Sequence, residues 1–181
     1  RGSVTSMYSP DRYVIALRFA AERHRDQLVP GTQLPYLVHV VSVAAEVIAA
    51  LANQHDADLA ACAALLHDTI EDTGASRGEI LQEFGASVAD GVQALSKDKL
   101  KSKSDAMADS LARIKSQPRE IWMVKLADRI TNLAPPPPNW SREKCAAYRD
   151  EAGSIADALG AASAQLDARL RARIASYGSY C

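Results

Sequence analysis

The sequence predicts an all-α protein that folds as a single helical domain. Three observations support this prediction: strand patterns are nearly absent, apolar residues recur at helical spacing, and these residues are mainly Ala, Leu, Val and Ile. Hydrophobic residues make up 48% of the 181 residues, but aromatic residues only 6%, which favours packed helices over aromatic-rich strands. A chain of this length can bury one sizeable core, which fits one domain.

Helix limits follow from capping residues and from Pro and Gly breaks along the chain. A Lys/Ser/Asp-rich stretch over 96–104 is predicted to be a mobile loop, and the four prolines of 135–138 to be extended. Ser141 can cap the last helical region, which is predicted to be jointed near Gly153 or Gly160. The predicted helices cover 11–27, 37–52, 56 or 57 to 70, 76–84, 87–95, 107–114, 120–133 and a last region from 141.

Composition and charge narrow the possible partners. The net charge is −1, whereas a nucleic-acid binder usually carries a basic excess. No apolar run approaches the roughly 20 residues that a membrane span needs. The charge therefore argues against nucleic acid as a partner, and the lack of such a run argues against a membrane. Residues 1–7 are polar and are predicted to be a tag-derived, disordered start, which leaves 8–181 as the domain. Three cysteines without a CxxC spacing predict a cytoplasmic protein.

The most informative segment is 65–73 (LLHDTIEDT), where an apolar helix ends in four titratable side chains. His67 and Glu71 are four residues apart, as are Asp68 and Asp72, so each pair shares a helical face if the helix continues. Burying such groups without partners is costly, and a divalent cation would neutralise them directly. The sequence therefore predicts a metal site at this helix end.

Two further ligands must come from elsewhere in the chain, and two residues are candidates. His39 is a lone histidine in the apolar string PYLVHVV, and Asp128 is a lone acid on the apolar face of VKLADRITNL. Each alone has an ordinary explanation, a core histidine or an acid in an ion pair. Together with His67 and Asp68, each in a helix that would otherwise be plain core, they favour a common metal site.

The order His, His-Asp, Asp resembles the HD-domain pattern. The longer strings FAAERH (19–24), PYLVH (35–39), LLHDTIEDT (65–73) and VKLADRITNL (124–133) resemble the hydrolase domain of RelA/SpoT homologues, in particular the stand-alone small alarmone hydrolases. This resemblance covers nearly the whole chain after Met7. It implies an HD-type fold with a central metal site and Mn²⁺-dependent removal of the 3′-pyrophosphate from a (p)ppGpp-like nucleotide, which gives GDP or GTP and pyrophosphate.

The resemblance assigns roles that agree with the residue chemistry. Two imidazoles and two carboxylates leave open positions for water and substrate, and this set suits Mn²⁺ better than a thiolate-bound structural Zn²⁺. Glu71 and Asp72 would orient the attacking water and take its proton, and which of the two does so stays open. The implied metal ligands are His39, His67, Asp68 and Asp128.

The resemblance also implies a set of substrate-binding residues. Lysines near the phosphates, an asparagine at the sugar and a basic residue with a tyrosine at the distal phosphates are the family pattern. For each residue an ordinary alternative stays open: a solvated lysine loop, an ion pair between helices, or a packed tyrosine on a surface helix. The positions that match the pattern are Lys99, Arg129, Asn132, Lys144 and Tyr148.

Two departures from the family pattern bear on specificity. Leu28, Val29 and Pro30 stand where guanine-alarmone hydrolases usually carry Arg and Lys over the base, and Val40 replaces a proline after the first ligand histidine. The first departure motivates an alternative substrate, the adenosine analogues (pp)pApp. Phosphatase activity toward NADPH and a non-catalytic, nucleotide-binding HD module are further alternatives, and the intact acidic pair argues against the last. A homodimer is left open.

Overall fold

The structure, a computed structural model, describes residues 8–181, with the side chains of 103 and 104 excepted. Helices account for most of this range, and no strand forms within it beyond an isolated antiparallel bridge between Leu28 and Pro35. The all-α prediction is confirmed, whereas the predicted disordered start over 1–7 lies outside the described residues. The helices are α1 (Pro10–Arg23), α2 (Leu37–Ala49), α3 (Ala57–Leu66), α4 (Thr69–Thr73), α5 (Arg77–Phe84), α6 (Ala86–Leu95), α7 (Lys103–Lys115), α8 (Arg119–Asn132), α9 (Arg142–Leu159) and α10 (Ala164–Tyr177).

Several limits differ from the sequence prediction by a few residues. Helix α1 ends at Arg23, four residues early, because the chain turns there into a hairpin closed by the Leu28–Pro35 bridge. Helix α7 starts earlier than predicted, since the Ser102 side chain accepts a hydrogen bond from the backbone N–H of Asp105. The Lys/Ser/Asp loop is correspondingly shorter.

The largest difference concerns the helix predicted to run to residue 70. The chain leaves the helix after Leu66 and starts α4 at Thr69, whose hydroxyl donates to the Leu66 carbonyl at 2.7 Å. Gly74 then ends α4 in the left-handed conformation, at φ +74°. This break places His67 and Asp68 in the connection between two helices rather than on one continuous face.

Helix α3 forms the centre of the core. Every residue from Leu59 to Leu66 is buried, and helices α1, α2, α6 and α8 pack around them. An Ala-rich helix lets its neighbours approach closely, which explains why a segment with no clear amphipathic pattern forms a buried helix. Helix α8 extends this core toward α9 and α10.

The C-terminal helices complete one wall of the molecule. The joint falls at the second of the two predicted positions, in a 3-10 turn over Gly160–Ala162, and Gly153 lies inside α9. Helix α10 runs antiparallel to α2. Gln165, near its start, donates from Nε2 to the carbonyl of Ala49, the last residue of α2, at 3.3 Å, and Arg169 further along pairs with the earlier Glu46. Among the described helices, none is both long and apolar enough to cross a membrane.

Candidate active site

Three separate parts of the fold bring the four predicted metal ligands together. His39 lies in the first turn of α2, His67 and Asp68 lie between α3 and α4, and Asp128 lies in α8. One nitrogen or oxygen from each lies within 4.8 Å of the others. The Nε2 atoms of His39 and His67 are 3.3 Å apart, and His67 Nε2 is 2.9 Å from Asp68 Oδ2. The cluster is mostly buried.

Neighbouring groups orient these side chains. His67 Nδ1 lies 2.7 Å from the Ala64 carbonyl, so Nδ1 carries a proton and Nε2 faces the cluster. The Tyr36 hydroxyl donates to Asp68 Oδ2 at 2.5 Å. Lys125 Nζ lies 2.9 Å from Asp128 Oδ2, and Asn132 Nδ2 donates to Asp128 Oδ1 at 2.5 Å.

The electrostatics of the cluster keep both carboxylates ionised. Burial disfavours the charged form of Asp128, but Lys125 and the two histidines outweigh it and hold its pKa well below the usual range. Burial likewise opposes the anion of Asp68, whose pKa is nevertheless lowered, mainly by His67. The same carboxylates raise the pKa of His67 well above its usual value, against the effect of burial.

This donor set fits a divalent cation. It offers two imidazole nitrogens and two carboxylate oxygens in one buried pocket, with Nε2 of His67 facing the other ligands. A doubly charged ion would balance the two carboxylates, and Mn²⁺, Fe²⁺ and Zn²⁺ all accept such mixed ligands. The cluster is therefore a candidate metal centre whose composition alone does not select one metal.

The acidic pair lies in α4, and its two members are held by different segments. Glu71 Oε2 accepts a hydrogen bond of 2.8 Å from the backbone N–H of Lys97, which follows α6. Asp72 Oδ2 accepts a hydrogen bond of 3.2 Å from Gln27 Nε2, in the hairpin after α1, and its Oδ1 is 3.9 Å from Lys99 Nζ. The two carboxylates thus have distinct environments within the short helix that follows Asp68.

A cavity of about 770 Å³ opens beside the metal cluster, a size that suits a nucleotide. His39 belongs to its wall, so the cavity reaches the candidate metal centre. One end is largely apolar, and the α10 side carries Arg169 and Arg173. The apolar part is lined by Val29, Pro30, Leu34, Val38, Pro135, Pro136, Pro137 and Trp140.

The predicted substrate-binding residues lie in three different environments. Asn132 and Tyr148 line the cavity, and burial raises the pKa of Tyr148 to about 12, which keeps its hydroxyl protonated. Lys99 is exposed beside Asp72, and Lys144 is exposed with its Nζ 4.2 Å from the centre of the Trp140 ring. Arg129 is only 2% exposed, and it is not among the residues that line the cavity.

Arg129 links α8 to α9 behind the cavity. Its guanidinium pairs with Glu151 of α9 and lies 4.3 Å from the centre of the Tyr148 ring. Two of its nitrogens, Nε and Nη1, have no hydrogen-bond partner within the described residues. This geometry matches the ion-pair alternative weighed for Arg129 and also supports the Tyr148 ring from behind.

Several site residues were not predicted from the sequence. Tyr36 and Lys125 lie inside the quoted motifs, and the i, i+3 spacing of Lys125 and Asp128 could have indicated their contact. Lys97 is largely buried near Glu71, and burial together with the charge of Lys125 lowers its pKa. Arg169 and Arg173 line the cavity because α10 packs on α8 and α9, for which the sequence has no local signal.

The all-helical fold and its cluster of two histidines and two aspartates define a class, the HD-domain proteins. The sequence profile described as HD domain matches residues 16–161 of this chain. A solved structure described as a metazoan orthologue of SpoT, which hydrolyses ppGpp and plays a role in starvation responses, has a TM-score of 0.82 against this fold. Its sequence is 28% identical, and the match covers 96% of this chain and 99% of that one.

Curated relatives narrow the class further. The guanosine-3′,5′-bis(diphosphate) 3′-pyrophosphohydrolase MESH1 of Danio rerio is 31% identical over 160 residues, which are 86% of this chain and 88% of that protein. The guanosine-3′,5′-bis(diphosphate) 3′-pyrophosphohydrolase of Haemophilus influenzae is 43% identical over 120 residues, which are 63% of this chain and 17% of that protein. The chain therefore belongs to the HD domain family and, within it, to the family of the MESH1 pyrophosphohydrolases, which confirms the resemblance stated from the motifs.

Proposed function

We propose that this protein is a Mn²⁺-dependent 3′-pyrophosphohydrolase of (p)ppGpp-like nucleotides. The observation that carries the proposal is the convergence of His39, His67, Asp68 and Asp128 on one point, beside a nucleotide-sized cavity that His39 lines. The relatives of Danio rerio and Haemophilus influenzae are named for this activity. Residues 8–181 would form the whole catalytic domain, with a small nucleotide as its partner.

His39, His67, Asp68 and Asp128 would hold the cation. When bound, such a cation supplies Lewis-acid polarisation of a phosphoryl oxygen and makes nearby water more acidic. Tyr36, Lys125 and Asn132 keep the carboxylates in place through the hydrogen bonds described above. Asn132 and Tyr148 line the cavity, where they would contact the sugar and phosphates.

The reaction itself exchanges one bond for another. The water oxygen bonds to the phosphorus next to the 3′ oxygen, the bond from that phosphorus to the 3′ oxygen breaks, and pyrophosphate leaves. One proton of the water passes to a base, and the 3′ oxygen takes up a proton. We assign the base to the pair Glu71 and Asp72, because both lie in the short helix that directly follows Asp68 and both are held by hydrogen bonds.

A substrate panel tests the proposal. Purified protein is incubated with Mn²⁺ and ppGpp, pppGpp, pppApp or NADPH in separate reactions, and the products are resolved by chromatography. Release of pyrophosphate from ppGpp and pppGpp is the expected result, and it should cease when the metal is chelated. Binding of all four nucleotides without turnover would instead favour a non-catalytic HD module.

The apolar end of the cavity favours a second candidate, hydrolysis of (pp)pApp. Val29, Leu34 and Val38 offer dispersion contacts to a purine ring but no side-chain donor or acceptor that distinguishes guanine from adenine. A base held mainly by such contacts is discriminated weakly. Comparable kcat/KM values for pppGpp and pppApp in the panel would support this candidate.

The cytoplasmic location stays a prediction.

A further inference from the structure

The hairpin between α1 and α2 contacts both the metal cluster and the acidic pair. Its last residue, Tyr36, donates a hydrogen bond to Asp68, and Gln27, near its start, donates one to Asp72 at 3.2 Å. His24, directly after α1, lies 2.7 Å from the Gln27 side-chain oxygen through Nδ1. One short segment therefore contacts both Asp68, a candidate metal ligand, and Asp72, a member of the acidic pair.

The direction of these hydrogen bonds follows from what each group can donate. The Asp72 carboxylate only accepts, so the Gln27 amide must present its NH₂ group to Asp72 and its oxygen to His24. That oxygen only accepts as well, so His24 must carry a proton on Nδ1. The histidine thus fixes which way the glutamine amide faces, and the amide fixes where the Asp72 carboxylate lies.

Several contacts surround His24 and Gln27. The Leu28–Pro35 bridge closes the hairpin, and the backbone N–H of Tyr36 donates to the Gln27 carbonyl at 2.8 Å. His24 is 3% exposed, and its ring centre lies 4.8 Å from that of Tyr36. By contrast, the other partner of Asp72 is Lys99, whose side chain is 67% exposed and 3.9 Å away. The contact of Asp72 with Gln27 is therefore the shorter of the two.

We propose that Gln27 and His24 are positioning residues that hold the Asp72 carboxylate in its working orientation for pyrophosphate hydrolysis. This inference rests on the proposed function for its effect on turnover. Neither residue needs to touch the substrate. Loss of the donor should therefore lower kcat and leave KM nearly unchanged, because substrate binding does not depend on where Asp72 points.

The first test replaces Gln27 by its isostere. Gln27→Glu keeps the shape of the side chain but exchanges the donating NH₂ group for an oxygen that repels Asp72. We expect kcat to fall by about 10- to 100-fold, the range typical of residues that orient functional groups, with Mn²⁺ affinity by calorimetry unchanged. Gln33→Leu, at an exposed position of the same hairpin, is the matched control and should retain the wild-type rate.

Rescue separates positioning from packing at His24. His24→Asn keeps an N–H donor close to the position of Nδ1, whereas His24→Leu keeps bulk but removes the donor. The asparagine variant should retain most of the rate, and the leucine variant should match Gln27→Glu. Equal losses in both variants, or full activity in both, would overturn the role assigned to His24.

A double-mutant cycle shows whether Gln27 acts through Asp72. In an Asp72→Ala background, Gln27→Leu should cost nothing further in kcat, and an additive loss would overturn the inference. The same four proteins are also unfolded in urea without substrate, where coupling between the two residues should appear as non-additive stability. If the wild type hydrolyses no nucleotide, the proposed function fails, and the urea cycle still decides whether Gln27 holds Asp72.

Discussion

Single hydrogen bonds decide the chemistry available at the candidate metal centre. The Ala64 carbonyl fixes the protonated nitrogen of His67, and Tyr36 and Lys125 each occupy one carboxylate oxygen of the cluster. These partners hold the side chains that each contribute one nitrogen or oxygen to the cluster. We therefore predict effects at residues outside the four candidate ligands, where a substitution can alter turnover or specificity while the metal stays bound.

The acidic pair provides the first such prediction. Glu71→Ala or Asp72→Ala should lower kcat by about 10²- to 10⁴-fold, because the attacking water loses its base or its orientation. Calorimetric titration should show unchanged Mn²⁺ binding, since neither residue is among the four ligands. Glu83→Ala, which removes an exposed acid from α5, is the control. Full activity of either pair variant would remove that residue from the mechanism.

Base specificity provides the second residue-scale prediction. Val29 lines the apolar end of the cavity, and Val29→Arg would add a planar fork that can bond guanine in two places. The ratio of kcat/KM for pppGpp over pppApp should rise about tenfold, in line with the roughly 1–3 kcal/mol of a bidentate Arg–guanine contact. Val29→Lys adds the charge without the fork and should change this ratio less. An unchanged ratio in the arginine variant would place the base elsewhere.

At the scale of elements, the break between α3 and α4 shapes the site. In this connection both His67 and Asp68 keep right-handed helical dihedral angles, and both contribute atoms to one cluster. Gly74 ends the short helix that carries the acidic pair, and its positive φ is unfavourable for any residue with a Cβ atom. The length of α4 therefore depends on this glycine.

Two glycine substitutions should change stability in opposite directions. Gly74→Ala should lower the free energy of unfolding by about 1 kcal/mol, because alanine is strained at φ +74° although the space around it is open. Gly153→Ala, inside α9 and equally uncrowded, should raise it by about 0.5–1 kcal/mol through helix propensity. Urea denaturation measures both. A stabilising Gly74→Ala would show that α4 does not need a left-handed end.

At the scale of the whole molecule, the metal cluster joins segments that are far apart along the chain. It connects α2, the α3–α4 connection and α8, which together enclose the core around α3. Two ionised carboxylates close together repel each other, and a cation between them would remove this cost. Metal binding should therefore stabilise the fold as well as enable the reaction.

Thermal unfolding tests this coupling without any substrate. Mn²⁺ at about 100 times its Kd should add about 2.7 kcal/mol of stability, which corresponds to a Tm increase of roughly 5–10 °C for a chain of this size. His39→Ala removes one ligand and should lose most of the increase. An equal increase in both proteins would mean that Mn²⁺ binds outside the four-residue cluster.

Local patterns in the sequence suffice to predict the helical fold class and the identity of the four candidate ligands. Helical spacing of small apolar residues leaves few alternatives to a packed α-helical core, and a histidine or acid within such a helix is conspicuous because its burial is costly without a partner. The strings around His67 and Asp128 were also sufficient to indicate the family, which the relatives confirm. These features are local, so they are visible in the chain.

Which side chains contact each other depends on the tertiary structure. The helix pattern over 57–70 continues through His67, and the break there depends on hydrogen bonds and packing that local propensity does not encode. For Arg129 the sequence allows either a phosphate contact or an ion pair between helices, and its pairing with Glu151 follows from the packing of α9 on α8. The contact of Gln27 with Asp72 spans 45 residues. Contacts between distant segments depend on how the helices pack, and many packings share the same local pattern.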